Sequence, residues 1–184
     1  MRGITLQCSG SPTFGVMING GAFYGGAWAC GFMNGLEESG LKIDQYIGVS
    51  SGLFACYMSI AGVNKRGYWS DLDTPLYSDR HNFNVFRRFV NHFTPKVARE
   101  SSYSEAELLE VMNRKLSAIA SRVSFKNFLP YFSHELISGF RDLEDFNEVQ
   151  MATGSLPWFL YPWPQKYLGK RYFDGALGLS EPER

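Results

Sequence analysis

The chain has 184 residues, 45% of them hydrophobic and 20% charged, with a formal net charge of zero. That length accommodates one domain with a hydrophobic core, and that composition excludes a disordered chain. The lack of any basic excess argues against nucleic acid as a partner.

Aromatic residues reach 16%, which suits either an aromatic-rich core or a protein that meets apolar surface. Cys8, Cys30 and Cys56 have no C-x-x-C spacing and read as small buried hydrophobes of a reducing compartment. Residues 1–8 lack the continuous apolar segment of a signal peptide. No window approaches about 18 consecutive apolar residues, so no transmembrane helix is expected. These features together lead us to expect an intracellular, cytoplasmic protein.

In chain order, residues 4–8 read as a short strand, 9–12 as a turn and 14–19 as a second, better buried strand. A glycine-rich loop follows, Gly20-Gly21-Ala22-Phe23-Tyr24-Gly25-Gly26. Residues 27–39 read as a helix with Trp28, Phe32 or Met33, and Leu36 on its apolar face, closed by Gly40. Gly31 and Gly35 cost that helix stability, and close packing against a sheet is the expected reason. Residues 41–49 read as the next strand. A strand, helix and strand at this spacing predict a parallel pair.

A largely apolar helix is expected over residues 53–61, then loops and short helices over 64–95. Ser104 caps a helix running to about residue 120, with Glu107 completing a capping box. Residues 125–136 are ambiguous, with a strand near Tyr131 as one reading. Residues 146–153 read as a short helix capped by Asp145, and 165–173 as a hairpin turning at Leu168-Gly169-Lys170.

The chemistry concentrates at the end of the 41–49 strand, where Gly48-Val49-Ser50-Ser51-Gly52 matches G-x-S-x-G. A serine on a sharp strand-to-helix turn exposes its hydroxyl, and small neighbours avoid clashes in the strained backbone. The helix behind it brings N–H groups and a positive dipole end toward a developing oxyanion. The competing interpretation is an ordinary junction with a capping serine.

Ser50 needs a base. His81, His92 and His134 all fall between Ser50 and Asp174, which does not fit the Ser–acid–His order of an α/β-hydrolase triad. Each reads as a surface or loop residue, and none has zinc-ligand spacing with a third ligand, so no metal site is expected. Asp174, in Lys170-Arg171-Tyr172-Phe173-Asp174-Gly175-Ala176, is the better candidate. It ends an aromatic strand and is followed by small residues, and an aspartate within hydrogen-bond reach can serve as the base directly. The competing interpretation there is an Asp-Gly turn.

Together these motifs resemble the patatin-like phospholipases. The resemblance rests on the glycine-rich loop at 20–26, Gly31 with Leu36-Glu37-Glu38, Gly48-Val49-Ser50-Ser51-Gly52 and Asp174-Gly175-Ala176, and it covers residues 16–176. Ala152-Thr153-Gly154-Ser155-Leu156-Pro157-Trp158-Phe159 is similar to the small-residue segment ahead of the family's aspartate strand. The separation of Ser50 and Asp174, 124 positions (174 − 50), and Phe23-Tyr24-Gly25 resemble the adipose triglyceride lipase and adiponutrin-like branch.

The resemblance implies a single patatin-like domain over 1–184, a three-layer α/β/α sandwich with a mainly parallel sheet. It implies Ser50 as nucleophile, Asp174 as general base and an oxyanion hole drawn from Gly20, Gly21, Gly25 and Gly26. Cleavage of carboxylic esters of phospholipids or acylglycerols follows, without cofactor or metal. Peripheral contact with a membrane or lipid-droplet surface follows too, for which the aromatic loop at 157–164 is the candidate. Acyl transfer by the same dyad and a catalytically silent lipid-surface module are the alternatives. Two departures stand out. The glycine loop is one residue longer than usual and lacks the Arg or Lys many members carry. The chain also ends ten positions after Asp174, where family domains continue, so a short or truncated C-terminal part is expected.

Overall fold

A six-stranded mixed sheet organises the computed structural model, which describes residues 14–65, 85–126, 129–156 and 163–178. Strands β1 (Gly15–Ile18) and β2 (Gln45–Val49) pair in parallel, with Ile18 opposite Gly48. Between them runs helix α1 (Ala22–Glu38), the parallel β-α-β unit expected. The chain leaves α1 through Gly40 at φ 73°, a left-handed position that glycine occupies without a Cβ clash.

Strand β3 (Leu116–Lys126) settles the topology. Its first residues pair in parallel with β2, Val49 opposite Ile119. From Ala120 onward the same edge takes up β6 (Lys170–Asp174) antiparallel, Ala120 opposite Asp174. The other edge is occupied by β4 (Leu129–Ile137), antiparallel from Ala118 to Lys126. A strand has only two edges, so β2 and β6 run toward each other along one of them. Their C-terminal ends meet where Ile119 gives way to Ala120. Strand β5 (Gln165–Tyr167) closes the expected hairpin with β6. Its turn places Leu168 at φ 46° and Gly169 at φ 75°, the left-handed pair of a two-residue hairpin loop.

Helices flank this sheet, giving the α/β architecture expected. Helix α2 (Ser51–Ala61) leaves the end of β2 directly and is buried at every residue except Ser51 and Ser59, as befits a helix apolar on all sides. Helix α3 (Val85–Glu100) packs Phe89 and Phe93 edge-on against Phe54, with centroids 5.1 and 6.1 Å apart. Helix α4 (Glu105–Lys115) carries the Ser104–Glu107 capping box. Helix α5 (Leu143–Gly154) packs Phe146 against Tyr57 at 4.9 Å. Each large apolar side chain so buried contributes about 1.5–3 kcal/mol.

Several expectations are corrected. Helix α1 begins at Ala22, not 27, so residues 22–26 are its first turns, not a loop. Its buried face is Ala29, Cys30 and Met33, whereas Trp28 is 67% exposed and stacks on exposed Phe32. Gly31 and Gly35 face open space, not the sheet. The strand expected over residues 41–49 is confined to Gln45–Val49.

Residues 85–100 form one helix with Pro95 inside it. The helix from Ser104 stops at Lys115, and residues 116–120 are strand. Residues 125 and 126 end β3, and Tyr131 lies within β4. Asp142, not Asp145, caps α5. Asp145 is buried and accepts from the Arg141 N–H at 3.1 Å and the Tyr167 hydroxyl at 3.2 Å. Cys30 and Cys56 are buried as expected, and burial pushes the Cys56 thiol pKa well up. The readings at 4–12, Cys8, His81, most of 157–164 and the final residues lie outside the described residues. Among the described residues, no helix is long and apolar enough to cross a membrane.

Candidate active site

Ser50 sits between β2 and α2 with φ 54° and ψ −130°. A positive φ at a residue with a side chain costs of order 1–3 kcal/mol and persists only where its surroundings impose it. Here they do. A Cβ at Gly48 would lie 2.2 Å from Leu53 Cα, and one at Gly52 would lie 2.3 Å from the Ile18 carbonyl oxygen. The two glycines therefore let α2 fold back onto the ends of β2 and β1, which forces the sharp corner at Ser50. Ser50 is 7% exposed.

Gly20, just past β1, presses on the same corner. A Cβ there would fall 2.3 Å from Ser50 Cβ and 2.9 Å from its Oγ. The start of α1 is thus held against Ser50, as is the start of α2. Two helix N-termini with incompletely bonded N–H groups meet at one hydroxyl. Gly20 and Gly21 precede α1, but the Gly25 N–H already donates to the Gly21 carbonyl at 2.8 Å. Gly26 lies one residue deeper in the helix. The Gly25 N–H is therefore already engaged within the helix, and Gly20 and Gly21 are the glycines that precede it. Gly25 instead gives clearance, since a Cβ on it would stand 3.1 Å from the Gly20 carbonyl carbon.

Asp174, at the end of β6, is 1% exposed. Its N–H donates to the Ser155 carbonyl at 3.0 Å. Its Oδ1 accepts from the Ala176 N–H at 2.9 Å, while Oδ2 has no hydrogen-bond partner. Burial raises its pKa above the usual carboxylate value, and the Ala176 N–H and then the Ser50 hydroxyl pull it back in smaller measure. The ends of β2 and β6 meet at Ile119 and Ala120, which brings the Ser50 hydroxyl within electrostatic reach of this carboxyl. Gly175 is required by space, because a Cβ there would meet the Ile119 carbonyl oxygen at 2.3 Å.

The C-terminal end of α5 joins the two sides. The Ser50 N–H donates to Thr153 Oγ1 at 3.0 Å, and the Thr153 hydroxyl donates to the Ile119 carbonyl at 2.5 Å. The sequence singled out this segment for its small residues but assigned Thr153 no contact. Nothing local announces a hydrogen bond spanning 103 positions.

The two described histidines stand apart. His92 is exposed on α3 beside Phe93, and His134 is exposed on β4 opposite Ser121. Among the described residues, no group of three His, Cys, Asp or Glu side chains could hold a metal ion. Of the aromatic loop, Trp163 is described and is 72% exposed.

The arrangement offers a strained serine hydroxyl, a buried carboxyl with raised pKa facing it, and two helix N-termini alongside. That set is suited to attack on a carbonyl and stabilisation of the resulting oxyanion. In comparison with known proteins, no individual curated protein matches the chain. The family model described as patatin-like phospholipase matches residues 16–183, from β1 through the Asp174 strand, and the chain belongs to the patatin-like phospholipase family.

Proposed function

We propose that this protein is a serine lipid acyl hydrolase that cleaves carboxylic esters of phospholipids or acylglycerols through a Ser50–Asp174 dyad. The observation that carries the reading is the head-on approach of β2 and β6 along one edge of β3, which sets Val49 and Asp174 against consecutive residues, Ile119 and Ala120. Asp174 Oδ2, the unpartnered oxygen, takes the proton from Ser50 as its Oγ attacks the ester carbonyl. The alcohol leaves with that proton, and an acyl-enzyme remains. Asp174 then takes a proton from water, which attacks the acyl carbonyl and regenerates Ser50.

The N–H groups of Gly20 and Gly21 receive the oxyanion, each donor contributing about 3–4 kcal/mol to the transition state. The 124-residue spacing of Ser50 and Asp174 (174 − 50) supports placing the chain near the adipose triglyceride lipase-like branch. An insoluble ester requires peripheral contact with a lipid surface. The test is a panel of phospholipid and acylglycerol esters assayed for fatty-acid release. Wild type should release fatty acid from at least one class, Ser50→Ala should release none, and Asp174→Asn should lose about 10²–10⁴ in turnover. Activity persisting in Ser50→Ala contradicts the proposal.

A further inference from the structure

We infer that Thr153 is a positioning residue, whose hydroxyl locks the backbone of Ser50 to the sheet at the point where Asp174 arrives. The inference rests on the proposed dyad and assigns a role to a residue that touches no substrate.

Three contacts define it. Ser50 has turned out of the β2 ladder, so its N–H cannot continue the strand pairing, and the Thr153 hydroxyl accepts it at 3.0 Å. The same hydroxyl donates to the Ile119 carbonyl at 2.5 Å. That carbonyl is the one a Cβ at position 175 would meet at 2.3 Å. Two residues on from Thr153, the Ser155 carbonyl accepts the Asp174 N–H at 3.0 Å.

One short segment, 153–155, therefore holds the nucleophile's backbone at one end and the base's backbone at the other. Thr153 and Ser155 are both fully buried, so water cannot replace either bond. Ser155 is itself fixed by its hydroxyl to the Met151 carbonyl at 2.5 Å. The separation of Ser50 and Asp174 is set by this two-residue span as much as by the strands that carry them.

A threonine suits the post because its hydroxyl donates and accepts at once, and its β-branch restricts χ1. Valine has nearly the same shape and can do neither. Serine can do both.

The experiment uses Thr153→Val and Thr153→Ser with two readouts. The first is amide hydrogen exchange at Ser50 by NMR, which is independent of catalysis. Thr153→Val should speed exchange at Ser50 at least about tenfold while the Leu53 amide, bonded to the Ser50 carbonyl, stays protected, because a buried donor has lost its acceptor. The second is the rate of covalent labelling by a serine-directed fluorophosphonate. Thr153→Val should label about 10²-fold more slowly, the loss expected of a small misplacement of reacting groups, and Thr153→Ser should recover to within about threefold.

Unchanged Ser50 exchange in Thr153→Val overturns the contact. Faster exchange with unchanged labelling overturns the positioning role. If Thr153→Val does not fold, Thr153→Ser decides. Labelling near the wild-type rate supports the inference, and a loss beyond tenfold at an unchanged melting temperature overturns it. Failure of the wild type to label at Ser50 counts against the proposed hydrolase and this positioning role alike, while the exchange readout still decides the contact.

Discussion

At the residue scale, two side chains sit where an unconstrained chain would not put them. Ser50 has φ 54°, and Asp174 is buried with one carboxyl oxygen unpartnered. Both carry a stability cost, and the second has a pH signature. An unfolded aspartate titrates near 3.9, and burial raises the native value for Asp174 above that. Between the two values the native state binds more protons than the unfolded state. The contribution of Asp174 is therefore most favourable below about pH 4 and declines as pH rises toward the native pKa. Asp174→Asn keeps the shape and does not titrate. Urea unfolding from pH 3.5 to 8 should show the variant gaining on wild type as pH rises through that window, then holding level. Wild type gaining on the variant instead would mean that the carboxylate is stabilised in the fold. The Ser50 corner was legible from five consecutive residues because the clashes that demand Gly48 and Gly52 are imposed by that corner. Thr153 was not legible, because its partners, Ser50 and Ile119, are brought to it by the tertiary fold.

At the element scale, helix α3 shows how a strong local signal was masked. Phe86, Phe89, Val90, Phe93 and Val97 are buried at helical spacing, the pattern of an amphipathic helix. Pro95, a residue that usually ends helices, hid it. The helix tolerates Pro95, which is exposed, because those apolar residues secure it to the core. The opposite holds at residues 116–120, where a helical pattern covers a strand. Leu-Ser-Ala-Ile-Ala is an acceptable helical sequence, and pairing with β2 overrides that preference. The β5–β6 hairpin was legible because Leu168-Gly169 sits between two short strands with alternating burial.

Helix α3 also meets the segment that carries Thr153. A Cβ on Gly154 would come within 2.2 Å of the Phe86 ring, and Phe86 is itself buried. Gly154→Ala should therefore destabilise the protein by about 1–3 kcal/mol, measured by urea unfolding. In a Phe86→Leu background the added methyl should cost less, giving a coupling above about 0.5 kcal/mol. Additive effects would show that the ring is not what fills the space beside Gly154.

At the scale of the whole molecule, the order of motifs along the chain was visible, but not the way the sheet brings them together. The parallel β1–β2 unit follows from strand, helix and strand spacing, whereas the meeting of β2 and β6 depends on β3 pairing with both along one edge. No local pattern in residues 116–126 announces two partners of opposite direction. That meeting brings the end of β2, just before Ser50, and Asp174 to consecutive residues of β3, Ile119 and Ala120, and the proposed dyad depends on that one carboxyl. The measurement that bears on it most directly is fluorophosphonate labelling of the full chain as a function of pH, with the adduct located by peptide mass spectrometry. The adduct should map to Ser50, and the labelling rate should rise with pH through the elevated pKa of Asp174 and then level off. It should fall about 10²–10⁴-fold in Asp174→Asn and be largely retained in a His92→Gln, His134→Gln double variant. An adduct elsewhere, or a folded double-histidine variant that no longer labels while Asp174→Asn still does, would contradict the Ser50–Asp174 pairing.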